Sequence, residues 1–63
     1  MSDAEIERVA RAMCAADFMD PEMRVFSWRG VATPAGPTAL EMMSIEARRF
    51  IAAIRALKEP SDD

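Results

Sequence analysis

The sequence predicts a mainly α protein: two antiparallel amphipathic helices joined by an irregular segment that holds either a short helical turn or short strands. Three observations support this fold class. Two stretches carry apolar residues at helical spacing, each stretch begins with a capping signal, and both glycines and three of the four prolines fall between them. With 63 residues in all, we expect one small domain over residues 1–63.

The first helix is predicted over about residues 3–18. Ser2 followed by Glu5 forms a capping box, in which the Ser hydroxyl accepts a backbone N–H of the first turn. Apolar side chains then recur at three- and four-residue spacing, which places them on one helical face. This stripe consists of Ile6, Val9, Ala10, Met13 and Cys14.

The second helix is predicted over about residues 38–58. Thr38 and Glu41 form a second capping box, and Pro60 ends the helical pattern. Ser44 offers another N-cap, so the sequence leaves open a short first piece followed by a main helix. The apolar stripe consists of Leu40, Met43, Ala47, Phe50, Ile51, Ile54 and Leu57, and an acidic tail follows over residues 59–63.

The bridge between the helices, residues 19–37, is long for a compact domain. Asp20 and Pro21 favour a single helical turn near residues 21–24. The next residues alternate loosely and predict either a short strand or an ordered loop, and residues 30–37 read as a connecting loop because of their Gly and Pro content. The two aromatic side chains expected to close the open side of the helix pair are Phe26 and Trp28.

Composition excludes several classes of chemistry. There is no His for a His-based triad or general base, and a single Cys supports neither a disulfide framework nor a structural zinc set. Cys14 lies on the apolar stripe and is expected to be a buried, inert thiol. We therefore expect no enzymatic activity, no cofactor and no metal.

The two ends of the chain predict a cytoplasmic protein. Residues 1–5 are acidic and lack the basic and apolar regions of a signal peptide. The longest apolar run, residues 50–54, is far too short to cross a bilayer, so no membrane partner is expected.

The small size predicts association. A chain of 63 residues buries so little surface that the gain from apolar burial and the loss of conformational entropy nearly cancel. Six Met side chains add flexible apolar surface of the kind that adaptable interfaces use. A homodimer or a complex with a partner protein is the expected state.

An arginine-rich set of side chains is the candidate binding surface. Two arginines of the second helix are seven residues apart and share a face, which arginines of the bridge can join. Such a surface fits an acidic protein or phosphates; the alternative is a solvated face balanced by Glu22 and Glu46, with the Trp in the core. A net charge of −3 makes nucleic acid the less favoured partner. The candidate partner-binding residues are Arg24, Trp28, Arg29, Arg48, Arg49 and Arg55.

Short Ala-rich motifs lie near both ends of the chain. The opening motif comprises Ile6-Glu7, Ala10, Ala12, Ala16 and Asp20-Pro21-Glu22. The closing motif comprises Ala47-Arg48, Ile51-Ala52-Ala53, Ala56-Leu57 and Glu59-Pro60-Ser61. Together these motifs resemble a loose class of short phage and prophage proteins from alphaproteobacteria. The chain departs from that class at the entry to the last helix, where Leu40 and Met43 replace an aromatic pair.

The resemblance implies a genomic setting rather than a reaction. In that setting, small acidic proteins act stoichiometrically on host machinery in the host cytoplasm, and anti-CRISPR proteins are one such group. The leading hypothesis is a non-catalytic inhibitor that occludes a host defence complex, such as a CRISPR effector, by protein–protein binding. The alternatives are a nucleic-acid-binding accessory protein and a self-assembling structural phage subunit.

Overall fold

The computed structural model describes residues 1–59 and confirms the mainly α fold class. Two helices pack against each other, and a small antiparallel hairpin lies in the bridge between them. Residues 60–63, which make up most of the predicted acidic tail, lie outside the described residues. In chain order the elements are α1 (Asp3–Ala16), β1 (Ser27–Trp28), β2 (Val31–Ala32) and α2 (Ala39–Lys58).

Helix α1 begins as predicted and ends two residues early. The Ser2 hydroxyl accepts the backbone N–H of Glu5 at 3.1 Å, which satisfies one of the unpaired donors of the first turn. The helix stops at Ala16 because Phe18 adopts a left-handed conformation with a φ of 57°, which turns the chain out of the helical path.

Helix α2 runs without interruption from its cap to Lys58. The Thr38 hydroxyl accepts the backbone N–H of Glu41 at 3.1 Å. Ser44 does not divide the helix, because its hydroxyl donates to the Leu40 carbonyl at 2.7 Å one turn earlier and leaves the helical ladder intact. The helix is therefore a single element of 20 residues.

The core is thin, and half of its eight buried residues are alanine or cysteine. Buried residues recur every four positions on α1 and on α2, so each helix presents one narrow stripe to the other. Alanine and cysteine at these positions let the helix axes approach closely, with Met43 the bulkiest side chain fully enclosed. The buried apolar residues are Ile6, Ala10, Cys14, Val25, Ala39, Met43, Ala47 and Ile51.

Acidic residues at the start of α1 pair with two arginines of α2. Asp3 lies 3.7 Å from Arg48, and Glu5 lies 3.0 Å from Arg55. Because α1 has 14 residues and α2 has 20, α1 does not cover the end of α2. The predicted stripe is wrong at Leu57, which is 81% exposed in that uncovered part.

The bridge is an ordered closed loop, and the helical turn predicted near residues 21–24 is wrong. The Asp20 carboxylate accepts the backbone N–H of Glu22 at 2.9 Å, which makes a tight turn instead. Arg24 then pairs in a single β-bridge with Thr38, so the two ends of the loop lie side by side.

Two further expectations for the bridge need correction. Residues 30–37 are not simply a connecting loop, because they contain β2. Phe26 does not close the helix pair: it is 64% exposed, and its ring lies where a Cβ on Gly36 would be, 2.9 Å from Cε1. Trp28 does pack against the core, as expected.

Candidate functional site

The hairpin turns through two residues that both have positive φ. Arg29 has a φ of 51° and Gly30 a φ of 81°, while Trp28 and Val31 face each other across the strand pair. Positive φ at both central positions defines a type I′ turn, whose twist matches that of antiparallel strands. Glycine adopts this conformation freely, whereas at Arg29 it carries conformational strain that contacts of the side chain must compensate.

That compensation comes from Glu46 on α2. Arg29 donates to the two carboxylate oxygens from Nε at 3.1 Å and from Nη2 at 2.9 Å, and Trp28 donates its indole N–H to the same carboxylate. The guanidinium also lies 5.2 Å from the centre of the Trp28 ring and 3.7 Å from Asp17. Glu46 therefore fixes the hairpin to α2, and Asp17 pairs its turn with the end of α1.

The same contacts determine the protonation state of the site. Hydrogen bonds from Arg29 hold the pKa of Glu46 below its ordinary value, with a smaller contribution from Trp28 and from the charge of Arg49, and this outweighs the opposing effect of burial. The pKa of Arg29 is raised, first by its hydrogen bond with Glu46. Both groups are accordingly ionised at neutral pH.

Beside this cluster is a shallow groove of about 470 Å³, which we call the hairpin groove; it is lined by Trp28, Arg29, Val31, Met42, Ile45, Glu46 and Arg49. Two of its apolar side chains stand largely in solvent, since Val31 is 66% exposed and Ile45 is 49% exposed. Within the described part of the chain, Arg49 forms no ion pair. The groove thus combines an apolar floor with a cationic rim, because two arginines outnumber the one glutamate.

The structure brings three of the six predicted binding residues together. Trp28, Arg29 and Arg49 all line the hairpin groove. The other three lie elsewhere: Arg48 and Arg55 pair with carboxylates of α1, and Arg24 donates to the Gly36 carbonyl at 3.3 Å.

Sequence reasoning missed the apolar part of the groove. Ile45 lies on α2 two residues before the buried Ala47, and therefore on the opposite side of the helix from the core stripe. A large apolar residue that lies off the apolar stripe of α2 was the sequence signal that could have identified this position. Val31 had no comparable signal, because its position depends on the hairpin turn at Arg29-Gly30.

Phe18 was also missed, and it is the most exposed large apolar residue of the described chain, at 97%. It occupies the left-handed position that closes α1: its N–H bonds to the Ala15 carbonyl at 3.1 Å, and the Met19 N–H bonds to the Cys14 carbonyl at 2.8 Å. This is a Schellman motif, where glycine is the usual residue.

A second apolar groove lies at the end of α2, where Phe50, Ile54 and Val9 form the floor and Lys58 and Arg55 form part of the rim. Phe50 is 53% exposed there. Arg55 is occupied by its pair with Glu5, so Lys58 is the cation of this rim that forms no ion pair among residues 1–59.

Residues 1–59 contain no candidate metal site, because no group of three or more His, Cys, Asp or Glu residues converges there. Cys14 is fully buried, as expected, and burial raises the pKa of its thiol, which keeps it protonated. Within the same residues, no helix is long and apolar enough to span a bilayer.

Comparisons with protein-family models, with curated proteins and with solved structures find no match for this chain. The candidate site therefore rests on the geometry of the chain itself.

Proposed function

We propose that this chain is a non-catalytic binding protein that docks on a partner protein through the hairpin groove. One observation carries the proposal: Val31 and Ile45 stand in solvent beside Arg49, which forms no ion pair within residues 1–59, while four of the eight buried core residues are Ala or Cys. A folded chain normally has the reverse distribution. Val31, Ile45 and Arg49 are the side chains that this arrangement offers to a partner.

The chemistry of the groove favours binding over catalysis. A general acid or base works best with a pKa near the operating pH. The pKa of Glu46 is instead displaced further below that range by Arg29, and both groups are committed to holding the hairpin in place. The cluster acts as a rigid support for the groove wall.

The partner that this groove fits is a protein segment with an apolar side chain flanked by carboxylates. Trp, Met and Ile provide an adaptable apolar floor, and arginine provides the forked donors that bind carboxylates. The groove is open and shallow, so it suits a projecting side chain or a short segment rather than an enclosed small molecule.

The biological setting is supported by the resemblance to short phage and prophage proteins. On that basis the partner is a host complex, and the proposed role is stoichiometric inhibition of a host defence assembly in the manner of anti-CRISPR proteins. Trp28, Arg29 and Arg49 carry the contact. Arg24, Arg48 and Arg55 remain predicted contributors, each with a contact inside the chain as well.

The test is affinity purification of tagged protein from alphaproteobacterial host lysate, compared directly with the variant Ile45→Glu. Position 45 is half exposed, and a Glu there forms a favourable i, i+4 pair with Arg49, so the helix should be retained. The new carboxylate repels an acidic ligand and neutralises the cationic rim.

We expect the wild-type chain to recover a defence complex in a fixed ratio and Ile45→Glu to lose it. The matched control is Leu57→Gln, a change at an 81% exposed position on the same helix that does not line the groove. Equal recovery by wild type and Ile45→Glu contradicts the proposed surface. Recovery of nucleic acid that weakens steeply with salt supports the accessory-protein alternative instead.

A further inference from the structure

We propose that, before it meets its partner, the protein pairs with a second copy of itself, with Phe18 of each copy seated in the hairpin groove of the other. This inference rests on the groove chemistry of the proposed function, but not on the identity of any host partner. The contact uses Phe18 with its neighbours Asp17 and Asp20, which we call the acidic knob.

Folding does not account for Phe18. Its side chain is 97% exposed, and its backbone has a φ of 57°, an uncommon conformation for a bulky residue. Met19 seals the helix end instead, through its hydrogen bond to Cys14 and its packing against the core. Glycine would complete the same motif with less strain, so a contact outside the chain is the better explanation for a phenylalanine.

The charges of the two features are complementary. The chain has no Lys or Arg between Arg11 and Arg24, and within residues 1–59 Asp20 forms no ion pair while Asp17 pairs with Arg29. The hairpin groove has the opposite rim, with Arg49 unpaired among the described residues. An apolar side chain flanked by carboxylates is the ligand that this groove fits, and the molecule carries such a ligand itself.

The two features also lie close together. Asp17, next to Phe18, lies 3.7 Å from Arg29, and Arg29 lines the groove. Knob and groove are therefore neighbours on one side of the molecule. When the two features are neighbours, a two-fold axis that passes between them can bring the knob of each copy to the groove of the other at the same time. Both contacts are then made within one pair, which produces a dimer rather than an open chain of copies.

The size of this contact predicts weak association. Two buried phenylalanines contribute roughly 150–250 Å² each, and the groove walls add a comparable area. The total falls near or below about 1,200 Å², the range of transient interfaces. We expect half-association at about 10–100 µM, an order-of-magnitude figure. Partner binding and self-association then compete for the same groove.

The experiment is sedimentation equilibrium of the full chain over a range of about 1 µM to 1 mM, with the fluorescence of Trp28 recorded on the same samples. Trp28 is the only Trp of the chain and lines the groove, so its emission should shift to the blue as the dimer forms. We expect a monomer–dimer transition for wild type and for Leu57→Gln. For Phe18→Gly we expect association at least about tenfold weaker, a loss of roughly 1.4 kcal/mol.

A thermal melt at low micromolar concentration shows whether Phe18→Gly is folded, and we expect its Tm to rise because the left-handed position is relieved. A wild-type chain that stays monomeric at about 1 mM overturns the inference, as does a dimer that Phe18→Gly retains. Loss of the dimer in Leu57→Gln alone would place the interface at the end of α2. Each result leaves the test of the proposed function intact, because that test scores recovery of a host complex by Ile45→Glu.

Discussion

The helix pair and the bridge use apolar side chains in opposite ways. Where α1 meets α2, the buried side chains are mainly small, such as Ala10, Cys14 and Ala47. In and beside the bridge, bulky side chains such as Phe18 and Val31 stand in solvent. The contact between the helices therefore provides the stability of the fold, and the bridge, together with the outer face of α2 that carries Ile45, displays a surface that folding does not require. The following variants test this division, starting with the largest expected effect.

Met43→Ala should be the most damaging single change. Met43 is the bulkiest fully buried side chain, and truncation of a buried Met costs about 2–5 kcal/mol. A domain of this size has a total stability of only a few kcal/mol. We therefore expect most Met43→Ala molecules to be unfolded already at the low-temperature start of a thermal melt followed by circular dichroism. The matched control is Met23→Ala, at a 43% exposed position of the bridge, where a shift of at most a few degrees is expected. Similar losses of stability in Met43→Ala and Met23→Ala would contradict the division of roles between the helix pair and the bridge.

Gly36→Ala and Gly30→Ala separate packing from backbone conformation within the bridge. Both glycines have positive φ, so each substitution costs about 1–2 kcal/mol of conformational strain. At Gly36 the new Cβ also meets the Phe26 ring at 2.9 Å, whereas nothing lies within 4 Å at Gly30. Urea denaturation should rank Gly36→Ala as the less stable variant; the reverse order would show that Phe26 moves aside without penalty.

Phe18→Gly should raise stability, in contrast to most substitutions. Relief of the left-handed conformation is worth about 1 kcal/mol, which corresponds to a Tm increase of about 4–8 °C in a domain this small. The melt must be recorded at low micromolar concentration, so that any loss of association does not lower the Tm. Phe18→Ala serves as the control, since it removes the ring but keeps a Cβ at the strained position. A lower Tm for Phe18→Gly would mean that the ring stabilises the folded monomer.

Glu46→Gln should give the smallest effect, and one that depends on pH. The pKa of Glu46 is lowered in the folded state, chiefly by Arg29, so its ionised form stabilises the fold above the ordinary glutamate pKa of about 4.3. That stabilisation is lost as the pH falls through the lowered pKa. Wild type should melt higher than Glu46→Gln at pH 7, and the two curves should converge in acid. A difference in Tm that stays constant across pH would show that the charge of Glu46 does not stabilise the fold.

Periodic local signals explain why the helices could be predicted. The N-caps at Ser2 and Thr38 and the four-residue repeat of buried positions are encoded within single segments, so both helix starts follow from the sequence. The end of α1 was misplaced because a phenylalanine occupies a position where glycine is the usual signal.

The hairpin of the bridge could not be predicted from the sequence, for a related reason. The type I′ turn at Arg29-Gly30 lacks the usual Asn-Gly or Asp-Gly signature, and it is stabilised by a glutamate 17 residues away along the chain. Three predicted binding residues meet at the groove, but Arg48 and Arg55 pair with α1 instead, since the crossing of the helices is not a local property. Ile45 and Val31 became candidates only once the hairpin was placed against α2.

The most direct test of the central claim is a defence-protection assay combined with a thermal melt on one variant, Ile45→Glu. Phage survival would be scored in an alphaproteobacterial host with an active defence system that expresses either wild type or the variant. We expect wild type to protect the phage and Ile45→Glu not to protect it, although the Tm of the variant matches that of wild type at low protein concentration. Full protection by a folded Ile45→Glu chain would contradict the claim that the hairpin groove is the binding surface.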